Sequence, residues 1–222
     1  MSKIYLSAAA HQYDNPTQCG GGCSENTHCR IYMDKLESRL RELGFEVKRG
    51  FVDQMGEAAM KNRVAEANAW GADIYYVAHT NAGGGRYSMT LCWSDAASKK
   101  RAAIIGKYRQ WPHGHKVRVR TDLYEISMTK MPCLYDELFF HDNAEDCAAF
   151  HGSWMDRMVE ETCMALCELL GQVYSAPSAN DASARIQELE RQVTAYQNEV
   201  DSLKNTVSVL QKKIENAKNA LA

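Results

Sequence analysis

The sequence predicts an α/β domain built on a single twisted, mostly parallel sheet flanked by helices, followed by a C-terminal coiled-coil helix. Three observations lead there. Short apolar runs alternate with longer amphipathic stretches from residue 3 to residue 171, the pattern of strands joined by crossover helices. A stretch of small residues then interrupts the chain near Pro177. Beyond it, apolar residues recur at steps of three and four without a break.

The strand candidates are Ile4-Tyr5-Leu6, Glu46-Val47-Lys48, Asp73 to Ala78, Ser88 to Cys92 and Cys133-Leu134-Tyr135. Each is short, rich in apolar or β-branched residues and bounded by polar ones. Val117-Arg118-Val119-Arg120 alternates as an exposed edge strand does. Ile31, Leu36, Leu40 and Leu43 form one helical stripe, closed by Gly44 as a C-cap. Ala58, Val64, Ala65 and Ala69 suggest a second, closed by Gly71.

The domain is expected to span residues 1–173, with a linker over 174–184, where Ser, Ala and Pro dominate. Residues 185–222 carry a heptad seam: Ile186, Val193, Val200, Val207, Ile214 and Leu221 at a, with Leu189, Tyr196, Leu203, Leu210 and Ala217 at d. So narrow a stripe cannot be buried by a lone helix. Cβ-branched residues at a with Leu at d favour a parallel dimer, in which Glu199 at g reaches Lys204 of the facing helix. A single helix folded back on the domain is the alternative.

Of the 222 residues, 45% are hydrophobic and 24% charged, with a formal net charge of -2. That balance gives no basic field to draw the chain onto nucleic acid. No apolar run reaches the roughly 20 residues of a membrane span. The apolar N-terminal stretch stops at His11, short of a signal peptide. Cytoplasmic synthesis is therefore expected, and with it reduced thiols for the eight cysteines. Cys133, Cys147, Cys163 and Cys167 read as small core residues. Cys19, Cys23 and Cys29 crowd a Gly-rich loop beside His28 and could bind zinc, but they form no C-x-x-C pair and have no second pair downstream.

Chemistry-bearing residues gather at predicted strand ends, where active sites of open α/β sheets lie. His11 follows the first strand, Glu25 precedes a helix, and His79 ends the most apolar strand ahead of Asn81-Ala82-Gly83-Gly84-Gly85. Two histidines with one carboxylate are a ligand set that leaves a zinc position open to water or a carbonyl. Singly, each has an ordinary reading as a loop histidine or a helix-start charge. Glu137 sits at the end of an apolar strand in Leu134-Tyr135-Asp136-Glu137-Leu138-Phe139. Its apolar neighbours suit a general base, although a structural pair with an arginine such as Arg63 is equally compatible. Asp136 should point to the opposite face. Arg86, Tyr87 and Trp93 are candidates for a substrate groove.

Four motifs in order carry a resemblance to the zinc-dependent N-acetylmuramoyl-L-alanine amidases of the amidase-3 type. They are His11 after the first strand, Glu25 before a long helix, His79-Thr80-Asn81-Ala82 at a strand end, and Pro132-Cys133-Leu134-Tyr135-Asp136-Glu137-Leu138-Phe139-Phe140 continuing to Asn143-Ala144-Glu145-Asp146. The run Arg63-Val64-Ala65-Glu66-Ala67-Asn68 followed by Ala72-Asp73 adds to it. Two positions depart from the family pattern: Ala10-His11-Gln12 stands for Gly-His-Gly, and Phe139 replaces a glycine.

The resemblance implies Zn2+ held by His11, Glu25 and His79, with Glu137 as catalytic base. It further implies cleavage of the amide between muramic acid and the L-alanine of the peptidoglycan stem peptide. Release onto the cell wall would follow, in the manner of a phage endolysin or a bacterial autolysin, and the phage case is favoured. The rival expectations are a zinc peptidase acting within the stem peptide and a non-catalytic wall-binding coiled-coil protein.

Overall fold

A computed structural model describes residues 1–19, 23–50, 54–177 and 179–221. The chain separates into two units, Met1–Tyr174 and Ser175–Ala222. In the first, six strands form one sheet in the order β2-β1-β3-β6-β4-β5. They are β1 Lys3–Ala8, β2 Glu46–Arg49, β3 Ile74–Asn81, β4 Ser88–Cys92, β5 His115–Val119 and β6 Cys133–Phe140. All neighbours run parallel except β4 and β6, which are antiparallel. This reversal is the one departure from a fully parallel sheet.

Helices α1 Glu25–Glu42, α2 Gly56–Trp70, α3 Ala96–Tyr108, α4 Tyr124–Met128, α5 Ala144–Ala149 and α6 Met155–Leu170 surround the sheet, with a π-helical turn over Phe150–Trp154. The central strands β3 and β6 are covered on both sides and are buried almost throughout. The edge strand β5 leaves Lys116 to Val119 exposed, as its alternation predicted. One core cluster packs Tyr32, Leu36, Leu40, Tyr76, Phe139, Phe150 and Leu166 together, and a second gathers Tyr5, Val64, Tyr75, Leu91 and Tyr135 on the other side.

Helix ends follow the sequence closely. Gly44 and Gly71 adopt positive φ, 84° and 68°, just past α1 and α2, where a side chain would be strained. Ser24 caps α1 by accepting from the Thr27 amide. The stripe expected on α2 needs correction: Ala58, Ala65 and Ala69 are exposed, while Ala59, Arg63, Val64 and Ala67 are buried. Alanine is at home on either side of a helix and marks a face poorly. The buried face also carries a guanidinium that periodicity counts as polar.

The cysteines need a second correction. Cys163 and Cys167 are buried thiols as expected, but Cys147 forms a disulfide with Cys19, 128 residues away. The pair is set by tertiary approach and leaves no local trace in the sequence.

In the second unit, α7 runs from Ala179 to Leu221, so helix begins inside the stretch expected to be a linker. Val193, Tyr196, Val200, Leu203, Val207, Leu210 and Ile214 of the heptad seam are all exposed by 47% or more. The side chains of Ile186, Leu189 and Glu199, and with them the Glu199–Lys204 pair, fall outside the described residues. Among the described residues, no helix is long and apolar enough to cross a membrane.

Candidate active site

The site lies where the parallel strands β1, β3 and β6 end, the usual place for chemistry in an open α/β sheet. Beyond β1 the chain runs through Ala9 and Ala10 to His11, whose backbone is clasped by Asn26. The Asn26 side chain accepts from the His11 amide at 2.9 Å and donates to its carbonyl at 3.0 Å. Arg63 of α2 donates to the Ala8 carbonyl at 2.5 Å and ties the end of β1 to that helix.

Glu25 is the first residue of α1 and is only 2% exposed. Burying a carboxylate is costly unless donors surround it. Here Oε1 accepts from the Thr80 amide at 3.1 Å and meets His79 Nδ1 at 3.0 Å, while Oε2 accepts from Asn15 at 2.7 Å. Burial acts to raise its pKa, but the close approach of His11 and the bonds from His79 and Asn15 prevail and hold it well below the usual carboxylate range. The converse holds for His79, where burial acts to lower the pKa and the bond and charge of Glu25 raise it. The ring of His79 also stacks on Tyr135 at 4.7 Å.

One donor atom from each of His11, Glu25 and His79 lies within 4.8 Å of the others. His11 Nε2 is 3.2 Å from Glu25 Oε2 yet not aligned for a hydrogen bond, and among the described residues it has no hydrogen-bond partner. Tetrahedral zinc with N and O bonds of about 2.0–2.2 Å separates its donors by roughly 3.3–3.5 Å. The observed 3.0 and 3.2 Å spacings fall short of that by a few tenths of an ångström. Two nitrogens and a carboxylate so placed, one with a lone pair directed at no donor, fit such an ion.

Glu137 pairs in register with His79 across β3 and β6. It lies within β6, which continues to Phe140, rather than at the strand's end. Its Oε2 is buried without a hydrogen-bond partner among the described residues. Burial pushes the carboxyl up to about 7, the charge of His79 pulls it down, and the charges of Glu25 and Asp136 add to the rise. Asp136 points to the other face, as strand alternation requires, and bonds Arg109 at 2.7 Å and Tyr76 at 2.7 Å.

A family model for N-acetylmuramoyl-L-alanine amidases, Amidase_3, matches residues 6–167, and those residues hold all four side chains of this constellation. The chain belongs to the Amidase_3 family. Its sheet and helices align with the catalytic domain of the amidase CwlV from Bacillus (Paenibacillus) polymyxa var. colistinus, with a TM-score of 0.69 and 22% identity over 78% of this chain and 100% of that one. The CwlD amidase from Clostridioides difficile, solved in complex with the GerS lipoprotein, aligns with a TM-score of 0.68 and 17% identity, covering 77% of this chain and 99% of that one. The catalytic domain of the CD27L endolysin targeting Clostridia difficile aligns at 0.59 with 16% identity, over 79% and 100%. No curated protein sequence matches the chain significantly.

Within this amidase domain the two departures from the family pattern are absorbed locally. Phe139, in place of a glycine, is fully buried and stacks on Phe150 at 4.3 Å. Gln12 lines a cleft together with His11, Met60, Arg63, His79 and Glu125. The groove candidates Arg86, Tyr87 and Trp93 do not line that cleft. Arg86 pairs with Glu145 and Asp146, Tyr87 packs under Lys116 and beside Phe140, and Trp93 borders a separate cavity. The positioning residues Asn15, Asn26 and Tyr135 escaped sequence reasoning. Their only sequence signal is proximity to the motif residues.

Proposed function

We propose that this amidase hydrolyses the bond between the lactyl group of N-acetylmuramic acid and the L-alanine of the stem peptide, with His11, Glu25 and His79 as zinc ligands and Glu137 as general base. The observation that carries this reading is the placement of the unpartnered Glu137 carboxylate, in register with His79 and beside three converging donors. Zinc held there supplies Lewis-acid polarisation of the scissile carbonyl and a water of lowered pKa.

The chain's own groups do the rest. Glu137 takes a proton from the attacking water and returns one to the leaving amine. Glu25 stays ionised and orients both imidazoles, Asn26 fixes the backbone of His11, and Tyr135 holds the plane of His79. The fold keeps Asp136 out of this site by committing it to Arg109. Glu137→Ala is expected to retain zinc and lose wall lysis, whereas His79→Ala loses both. Normal lysis by Glu137→Ala would overturn the assignment.

The exposed seam of α7 supports pairing with a second copy of the chain, so that two catalytic units act on one polymer and gain avidity. Acting on the wall after release from the compartment that makes it, as an endolysin does, belongs to the same reading.

A further inference from the structure

A second group of metal-competent side chains converges away from the amidase cluster. Cys23 Sγ lies 2.8 Å from His28 Nε2 and 3.5 Å from His151 Nε2, and the two imidazole nitrogens are 2.8 Å apart. Cys19 Sγ falls within 4.8 Å of one ring nitrogen of each of the same two histidines.

Three separate segments bring them together. A bridge between Pro16 and Ser24, with the Thr17 hydroxyl donating to the Cys23 carbonyl, gathers the segment that carries both cysteines. His28, wholly buried, comes from the second turn of α1. His151 comes from the π-helical turn, where Gly152 leaves helical geometry with ψ of -107°. Such insertions into a helix recur at functional sites.

Hydrogen bonding does not account for the contact. An imidazole nitrogen has one in-plane position, for either a proton or a lone pair. His28 Nε2 faces a sulfur and a second nitrogen at once, and neither neighbour can be served without abandoning the other. One cation bound to all three lone pairs serves them together. Tetrahedral zinc with bonds of about 2.0 Å to nitrogen and 2.3 Å to sulfur spaces its donors at roughly 3.3–3.8 Å. The two observed 2.8 Å separations reach that by opening roughly 0.5–0.7 Å.

We propose that Cys23, His28 and His151 hold a zinc-type transition-metal ion, with Cys19 completing a Cys2His2 set in the reduced chain. Cys19 has two exclusive roles, because its sulfur is otherwise bonded to Cys147. A dithiol reductant supplies two electrons and two protons, the S–S bond becomes two thiols, and the reductant closes its own disulfide. Cys19 and Cys23 each release a proton on taking the metal. The ion would staple the loop and the second turn of α1 to the π-helical turn. Glu25 begins that same helix, so the staple fixes the segment that presents an amidase ligand.

The test is metal stoichiometry and Co(II) spectroscopy on the full chain, reduced with a phosphine. Two equivalents are expected, with a thiolate-to-Co(II) charge-transfer band that oxygen and nitrogen ligands cannot produce. His11→Ala/His79→Ala should lose one equivalent and keep the band. Cys19→Ser/Cys23→Ser should lose one equivalent and the band. Cys147→Ser should show the full two-thiolate intensity of the band without reductant, since Cys19 can no longer be locked away, whereas the unreduced wild-type chain shows at most the single-thiolate intensity of Cys23. No thiolate band in the reduced wild-type chain overturns the proposal, and so does a band that survives Cys19→Ser/Cys23→Ser. Neither result bears on the amidase site, whose ligands are different residues.

Discussion

Replacing Arg109 with methionine should be among the most damaging single changes in the catalytic domain. Its guanidinium is 1% exposed, donates to Asp136 at 2.7 Å, to Thr162 at 3.1 Å and to the Met158 carbonyl at 3.2 Å, and lies 3.5 Å from Glu161. Asp136, 2% exposed, would keep hydroxyl donors from Tyr76 and Thr90 but lose its only countercharge among the described residues. Glu161 would keep Arg157 at 3.1 Å. Removing one partner of a buried pair costs about 3–5 kcal/mol, a large share of the roughly 5–15 kcal/mol that holds a domain folded. Urea denaturation should show the midpoint falling with little change in slope. Arg109→Met/Asp136→Asn should recover much of the loss, because no buried charge is then orphaned. A cost below about 1 kcal/mol for Arg109→Met, the range of an exposed pair, would refute the reasoning. In the proposed mechanism the network bears on catalysis because Asp136 lies on the strand that carries Glu137 on its other face.

Two further outcomes follow from the same structure. His115 bonds Ser88 at 2.8 Å and Thr90 at 3.1 Å, and burial lowers its pKa from 6.5 to about 4, against the charge of Asp136 and with that of Arg109. The unfolded chain therefore takes up this proton first, so the contribution of His115 is whole above about pH 6.5 and is lost as pH falls toward 4. Discounted for partial exposure, the loss is on the order of 1–3 kcal/mol. His115→Gln should flatten the stability profile in that window, and parallel profiles would contradict it. Deleting residues 180–222 should turn a dimer into a monomer by light scattering, and an unchanged monomeric mass would end the pairing idea.

The elements that sequence foretold are those governed by local rules. The strand runs and the glycines that end α1 and α2 stand where their patterns put them, while His79 and Glu137 lie within β3 and β6 rather than at their ends. Long-range geometry was legible only where a motif encoded it. Nothing near Cys147 announces Cys19, and nothing near His151 announces Cys23 and His28, because those meetings are made by packing across more than a hundred residues. The antiparallel insertion of β4 beside β6 is likewise a choice of neighbours that no strand's own sequence specifies. Asp136 and Glu137 show the limit well: alternation separated their faces, but only the fold reveals that one is neutralised by Arg109 and the other left without a partner.

The most direct test of the central claim is mass spectrometry of peptidoglycan digested with the purified chain. The expected products are stem peptides with a new free amino group on L-alanine, released from glycan strands that keep the lactyl carboxylate, and none of these products with Glu137→Gln. New termini within the stem peptide, or the same products from Glu137→Gln, would contradict it.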